Sequence, residues 1–228
     1  MQHQDGHSHI LSSTIPNCKS YDPAFGYELA VIIEHGLKEM YQDKENYFYY
    51  LTVTNERYIQ PPKPKTKNID ENIIKGMHRI SIAKEPKVRL LGSGAILNEC
   101  VKAAEILNDY GISNEVWSVT SFNMLRKDGM EIENENIKNP STKGKQSFVT
   151  KSFSENDIPT VASTDYMRAY SEQIRPYMTS PYYTLGTDGF GRSDSREKLR
   201  EFFEVDANNI VMTAALSLIH ISEPTRRM

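Results

Sequence analysis

Three of the six histidines in this 228-residue chain, His3, His7 and His9, gather around Asp5-Gly6 at its start. Imidazole titrates near neutrality, so such a group suits proton transfer or the holding of developing negative charge at the lip of an active site. A metal site is a second chemistry for the same residues. His3, third after a free amine, suits copper or nickel bound through backbone nitrogens, with His7 and His9 adding ligands. A polar leader without chemistry is the third reading, and spacing alone leaves all three open.

Two further motifs carry weaker signals. Gly92-Ser93-Gly94 follows an apolar run and opens a helical pattern, where a phosphate-cradling turn would lie. A dinucleotide fingerprint would want a third glycine where Leu97 stands, and no Walker lysine follows, so a tight strand-to-helix turn explains both glycines. Thr187-Asp188-Gly189 with Asn208-Asn209 only superficially matches the Gly-Asp-Gly to Asn-Asn magnesium motif of thiamine enzymes. The first glycine is replaced by Thr187 and the spacing is too short. A loop capping the next helix through Arg192, Ser193 and Asp194 is the plainer expectation, although loops at strand carboxyl ends also face ligands.

The elements that must position these residues alternate. Asp22 as N-cap, Pro23 at the first helical position and apolar residues from Phe25 to Met40 predict an amphipathic helix. Tyr47 to Val53, rich in aromatic and β-branched residues, predicts a buried strand. Three prolines between Gln60 and Asn68 exclude helix and central strand, so this stretch reads as a linker, with a strand at Met77 to Ile82 after it. Then come strand Val88 to Leu91, a helix from Ile96 ending at Gly111, and strand Val116 to Val119. Polar residues Lys127 to Lys151 read as a helix end plus surface excursion. Strand Thr160 to Ala162, helix Asp165 to Ile174, strand Tyr182 to Leu185, helix Ser195 to Phe203 and a last helix after Asp206 complete the series. This is an α/β fold with a mostly parallel or mixed sheet flanked by helices.

Composition narrows the partners. A formal net charge of -3 argues against a phosphate backbone as main partner, so nucleic acid is not expected. The longest apolar runs, such as Ala30 to Ile33, fall far short of the roughly 18 residues of a membrane span. The start lacks the basic and apolar stretches of a secretory signal. Two cysteines, Cys18 and Cys100, far apart and without Cys-x-x-Cys spacing, offer neither a disulfide framework nor a cysteine-rich zinc site, which suits a reducing cytoplasm.

Taken together, His3 to Ile10, Tyr21 to Ala24, Val119 to Phe122, Ala162 to Met167 and the long Leu185 to Arg196 block resemble a known family. It is the decarboxylating, thiamine-diphosphate-dependent component of the pyruvate dehydrogenase complex, in its bacterial homodimeric, acetyl-transferring form. The resemblance runs from about Gln2 to about Leu216, with Lys127 to Lys151 departing from the pattern. It implies that residues 1–60 are the C-terminal end of a pyrimidine-binding thiamine-enzyme domain. Residues 61–86 are then a linker and lead-in strand, and 87–216 a transketolase C-terminal-like domain. Residues 217–228 do not continue the family and read as a non-native tail.

The resemblance also implies an activity: decarboxylation of pyruvate on thiamine diphosphate with magnesium, and transfer of the acetyl group to a lipoyl domain. Partners would be a second copy of the whole chain and a lipoyl-bearing acetyltransferase core. The Asp-Gly-x-x-His loop of the superfamily falls on Asp5, Gly6 and His9. His9 is then expected to be a proton donor or electrostatic stabiliser at the substrate, with His7 a weaker neighbour and Asp5 shaping the loop. The magnesium motif and the cofactor-activating glutamate belong to other parts of the family's chain, so this stretch alone is expected to be inactive. A non-catalytic dimerisation module is the alternative from a different class.

Overall fold

The computed structural model describes residues 5–140 and 144–222. A small parallel pair comes first: β1 (Cys18–Tyr21) lies beside β2 (Phe48–Leu51), with Cys18 opposite Phe48 and Tyr21 opposite Leu51. They are joined by α2 (Gly26–Leu37) and a wider helical turn over Lys38–Gln42, and preceded by the short α1 (Ser8–Ser12). β2 is not the buried strand its composition predicts. Phe48 is 43% exposed, because among the described residues the pair has no third strand beside it.

The helix also starts later than its cap residue suggests. Asp22 does not cap it. Phe25 is the last extended residue, and the Glu28 carboxylate accepts from the Ala24 and Phe25 amides at 2.7 and 2.9 Å, satisfying donors that the first turn leaves free. Asp22 is instead buried, facing the second part of the chain.

That second part is a five-stranded sheet in the order β3-β5-β4-β6-β7, built from Met77–Ile82, Asn114–Val119, Val88–Gly92, Thr160–Ser163 and Tyr182–Leu185. β3 runs antiparallel to β5 and the others are parallel, so the sheet is mixed as the alternation predicts. β4, β5 and β6 are buried at every residue, the pattern of strands covered on both faces. On one face α4 (Leu97–Asp109) and α9 (Ala207–Ser222) pack Leu97, Cys100, Leu107, Ile210 and Ala214 over Val88, Leu90 and Val161. On the other, α5 (Phe122–Lys138), α6 (Phe148–Phe153) and α7 (Ala169–Glu172) bring Phe122, Leu125, Phe153 and Tyr170 over Leu91, Trp117 and Val119.

Three expectations change here. The linker stretch holds α3 (Ile69–Lys75), whose Ile69 and Ile73 pack with Tyr21, Val31 and Ile32. Most of Lys127 to Lys138 is not an excursion but the second half of α5: a polar face is compatible with helix when only Phe122, Asn123, Leu125 and Gly129 are buried. The helix expected over Asp165 to Ile174 shrinks to α7, because Thr164 to Met167 are drawn into the loop beneath Gly6, Met167 donating to its carbonyl at 3.1 Å.

By length and by the composition of its more apolar part, the stretch Arg196–Ile219 would suffice for a membrane span. It is two helices. α8 (Arg196–Phe202), capped by Ser195, ends before Glu204, whose φ of 57° breaks the path, and α9 then lays Ala207, Ile210 and Ala214 against α4. α9 continues through Ser217, so the expected tail begins inside this helix; residues 223–228 lie outside the described residues.

Candidate active site

The loop Asp5–His9 is held from within. The Asp5 carboxylate accepts from the His7 and Ser8 amides at 3.2 and 3.0 Å and from the Ser8 hydroxyl. Partial burial works against its ionisation, but these hydrogen bonds prevail and hold the carboxyl below its usual range. Asp5 therefore shapes the loop. Asn123 of α5 clasps the next turn, donating to the His9 carbonyl at 2.7 Å and to Ser20 Oγ at 2.5 Å.

His7 and His9 part company. His7 faces a shallow depression lined by Met167, Arg168, Gln173 and Asp188. His9 turns inward, is fully buried, and sits among Tyr50, Tyr166 and Tyr170 with ring centroids 5.4, 4.7 and 4.8 Å away. Burial drives its pKa down to about 4, the Asp5 charge opposing this only in part. It is an uncharged imidazole at neutral pH.

His9 Nε2 is 2.9 Å from Thr52 Oγ1, and Thr52 Oγ1 donates to Asp22 Oδ1 at 2.7 Å. Thus β1, the segment after β2 and α1 converge on one hydrogen-bonded line of three side chains. Asp22 is pushed up to about 7 by burial, which outweighs the hydrogen bond from Thr52. Its carboxylate abuts the turn after β4. The Gly94 amide donates to the Asp22 carbonyl at 3.1 Å, and a Cβ at Gly94 would come within 2.5 Å of Asp22 Oδ2. Gly92-Ser93-Gly94 is therefore a packing turn with Gly94 at φ +48°, as the plainer sequence reading holds.

Beside this line opens a cleft of about 400 Å³ at the carboxyl ends of the parallel strands, lined by Asp5, Asn55, Ala95, Asp165, Thr187 and Arg196 among others. Its position follows the rule for open α/β sheets. Arg200 spans its wall, bonded to Glu56 and, at 3.2 Å, to Glu99. Asp188, the acid of the Thr187-Asp188-Gly189 loop, is taken up by Arg168 Nε at 2.7 Å.

For the metal reading, His3 lies outside the described residues, and among those described no three His, Cys, Asp or Glu side chains converge to hold an ion. Sequence reasoning missed Thr52, Tyr166 and Tyr170 as surroundings of His9 and took Asp22 for a helix cap. The blocks Tyr21 to Ala24 and Ala162 to Met167 do stand out in the resemblance, but nothing local in them points to His9.

Comparison with known proteins bears on the same residues. A family model described as the pyruvate dehydrogenase E1 component middle domain matches residues 1–61, and one described as a transketolase-like TK C-terminal domain matches 76–206. The pyruvate dehydrogenase E1 component of Pseudomonas aeruginosa is 52% identical over 223 residues, covering 96% of this chain and 25% of the relative. That of Escherichia coli is 50% identical over 219 residues, covering 94% and 24%. Transketolase from Leishmania mexicana superposes with a TM-score of 0.70 at 15% identity over 99% of this chain and 29% of its own. A split gene transketolase described as an inactive beta4 tetramer gives 0.60 at 15% identity, covering 95% and 63%. The solved structures establish the fold, and the chain spans about a quarter of the length of the curated relatives it matches. With its middle-domain and transketolase-like C-terminal matches in series and half its residues shared with those relatives, the chain belongs to the pyruvate dehydrogenase E1 component family.

Proposed function

We propose that this chain contributes the C-terminal part of an E1 component that decarboxylates pyruvate and passes the acetyl group to a lipoyl domain. The observation that carries this is the 52% identity over nearly the whole chain, together with the family-model matches over residues 1–61 and 76–206, which take in the Asp5–His9 loop and the strand ends around the cleft. Thiamine diphosphate is the cofactor that membership implies, and it supplies the electron sink for losing carbon dioxide. The described residues do not fit its metal-diphosphate end. Asp188 is engaged by Arg168, and no set of three acidic, His or Cys side chains converges. A clamp for that group, with magnesium, falls to other parts of a whole chain. The stretch alone is inactive in this reading, as the split gene transketolase beta chain is described to be.

The chain's own share lies on the substrate side. His9, neutral at working pH, stabilises developing negative charge by hydrogen bonding rather than as an imidazolium, with Asp5 holding the loop and His7 at its outer edge. The whole protein would work as a homodimer in the cytoplasm, handing acetyl groups to a lipoyl-bearing acetyltransferase core.

The test joins residues 1–216 to the N-terminal remainder of the P. aeruginosa relative and measures pyruvate-dependent acetylation of a lipoyl domain. The chimera should turn over and the isolated chain should not. A folded but inactive chimera would instead favour the non-catalytic dimerisation reading, to which the half-open β1–β2 pair also lends itself.

A further inference from the structure

The line His9–Thr52–Asp22 contains one hydroxyl proton between two titratable groups. Thr52 Oγ1 has a single hydrogen to give, and it stands 2.7 Å from Asp22 Oδ1 and 2.9 Å from His9 Nε2. With Asp22 ionised, that hydrogen must go to the carboxylate, which has no hydrogen of its own. Thr52 then accepts from His9, whose proton is held on Nε2. With Asp22 protonated at Oδ1, the carboxyl donates into Thr52 and the hydroxyl turns; His9 Nε2 at 2.9 Å is a nearer acceptor than the Tyr21 carbonyl at 3.4 Å, so the hydrogen points at Nε2, which is then the bare nitrogen. Nδ1 is buried and has no hydrogen-bond partner among the described residues, so none of them fixes the choice on that side.

We propose that Asp22, acting through Thr52, is a positioning residue that selects the tautomer of His9: ionised Asp22 keeps the ring proton on Nε2, and protonated Asp22 moves it to Nδ1. The proton count balances. Asp22 gains one proton from solvent, while His9 loses one at Nε2 and takes one up at Nδ1, remaining neutral. The bearing of this inference on catalysis rests on the reading of His9 as the residue that stabilises charge on the substrate, although the tautomer itself can be observed without any substrate.

The surroundings favour a carboxyl that titrates within the working range. Asp165 and Tyr166 from the loop after β6, Tyr170 of α7, Glu28 of α2 and Tyr58 from the segment after β2 all face Asp22, and no cation is among them. Arg200 and Arg196 bear on Asp165 rather than on Asp22. The Asp5 charge bears on His9. A buried carboxyl among acids and phenols is held towards its neutral form. His9 stays uncharged through the same range, so the switch changes where its proton sits and not whether the ring is charged.

The experiment is long-range ¹H–¹⁵N correlation of ¹⁵N-histidine-labelled chain from pH 5.5 to 8.5, with the His9 signals assigned by their loss in His9→Gln. The expected result is an interchange of the protonated and unprotonated nitrogen signals of His9 with a midpoint near 7. The interchange should be absent from Asp22→Asn and from Thr52→Val, and restored in Thr52→Ser. A single His9 tautomer across the range, or an interchange that survives in Thr52→Val, overturns the proposal. Either outcome leaves the turnover of a chimera untouched as a separate question, so failure of the relay and failure of the functional reading are told apart.

Discussion

Glu28 and His78, fifty residues apart, meet at 2.6 Å with both side chains essentially shut off from solvent. Glu28 stands in the first turn of α2 and His78 on the edge strand β3, so the contact ties the small β1–β2 unit to the five-stranded sheet. The carboxylate is fully engaged: Oε1 also accepts from Ser118 Oγ at 2.6 Å, and Oε2 takes the Ala24 and Phe25 amides.

Removing that acceptor strands several donors at once. Glu28→Ala should cost about 2–5 kcal/mol, since each buried donor left without its acceptor costs roughly 1–3 kcal/mol. Urea unfolding of the single and double variants with His78→Ala measures it, and a coupling of at least about 1 kcal/mol is expected between the two sites. Additivity would show that the pair contributes nothing as a pair.

Acid stability carries the mark of two opposed groups. His9 binds fewer protons folded than unfolded between its folded value of about 4 and its ordinary value of 6.5, so its contribution is lost as pH falls through that window. Asp22, ordinarily at 3.8 and held at about 7, binds more protons folded, so its contribution is present at low pH and lost as pH rises through 7. The slopes nearly cancel between pH 4 and 6.5. Asp22→Asn should unmask His9, and its stability relative to the parent chain should drop by about 2–3 kcal/mol from pH 6.5 to 4, at roughly 1.4 kcal/mol per proton per pH unit. Denaturation midpoints that run parallel for the two proteins would contradict this.

Gly94→Ala tests the close approach behind Asp22. The residue has φ +48°, and a methyl group would stand 2.5 and 2.7 Å from the two carboxylate oxygens. A loss of about 1–3 kcal/mol is expected from overpacking and the left-handed backbone together. Thermal unfolding gives the number, and an unchanged midpoint would mean that the turn can move away from Asp22.

For the reaction, His9→Ala in the chimera should lower turnover with pyruvate by about 10²- to 10⁴-fold, the usual weight of a hydrogen-bonding group at a reacting centre. His7→Ala should cost far less, since His7 faces the shallow depression beside Met167 and Arg168 instead of the buried line. Equal effects of the two would remove His9 from its assigned role.

Much of the scaffold is legible in local sequence. Strand β4, the Gly92–Gly94 turn and helix α4 follow from an apolar run, two glycines and a 3.6-residue period, each of which acts within a few residues. Even the site loop announces itself, because Asp5, Gly6 and His9 are neighbours in the chain. α3 and the second half of α5 are less visible. One is short and the other is mostly polar, so their helices depend on the packing of Ile69, Ile73, Phe122 and Leu125 against distant strands.

Asp22 marks the division most sharply. An aspartate before proline carries every local sign of a helix cap, and the sequence by itself determines only that a helix follows. The tertiary structure decides that Glu28 satisfies the first turn instead, and that Asp22 faces Thr52, His9 and Gly94 from three separate segments. Its burial, and with it the raised pKa and the link to His9, exists only when those segments meet. Desolvation is a property of the surroundings and cannot be read from the residue or its immediate neighbours.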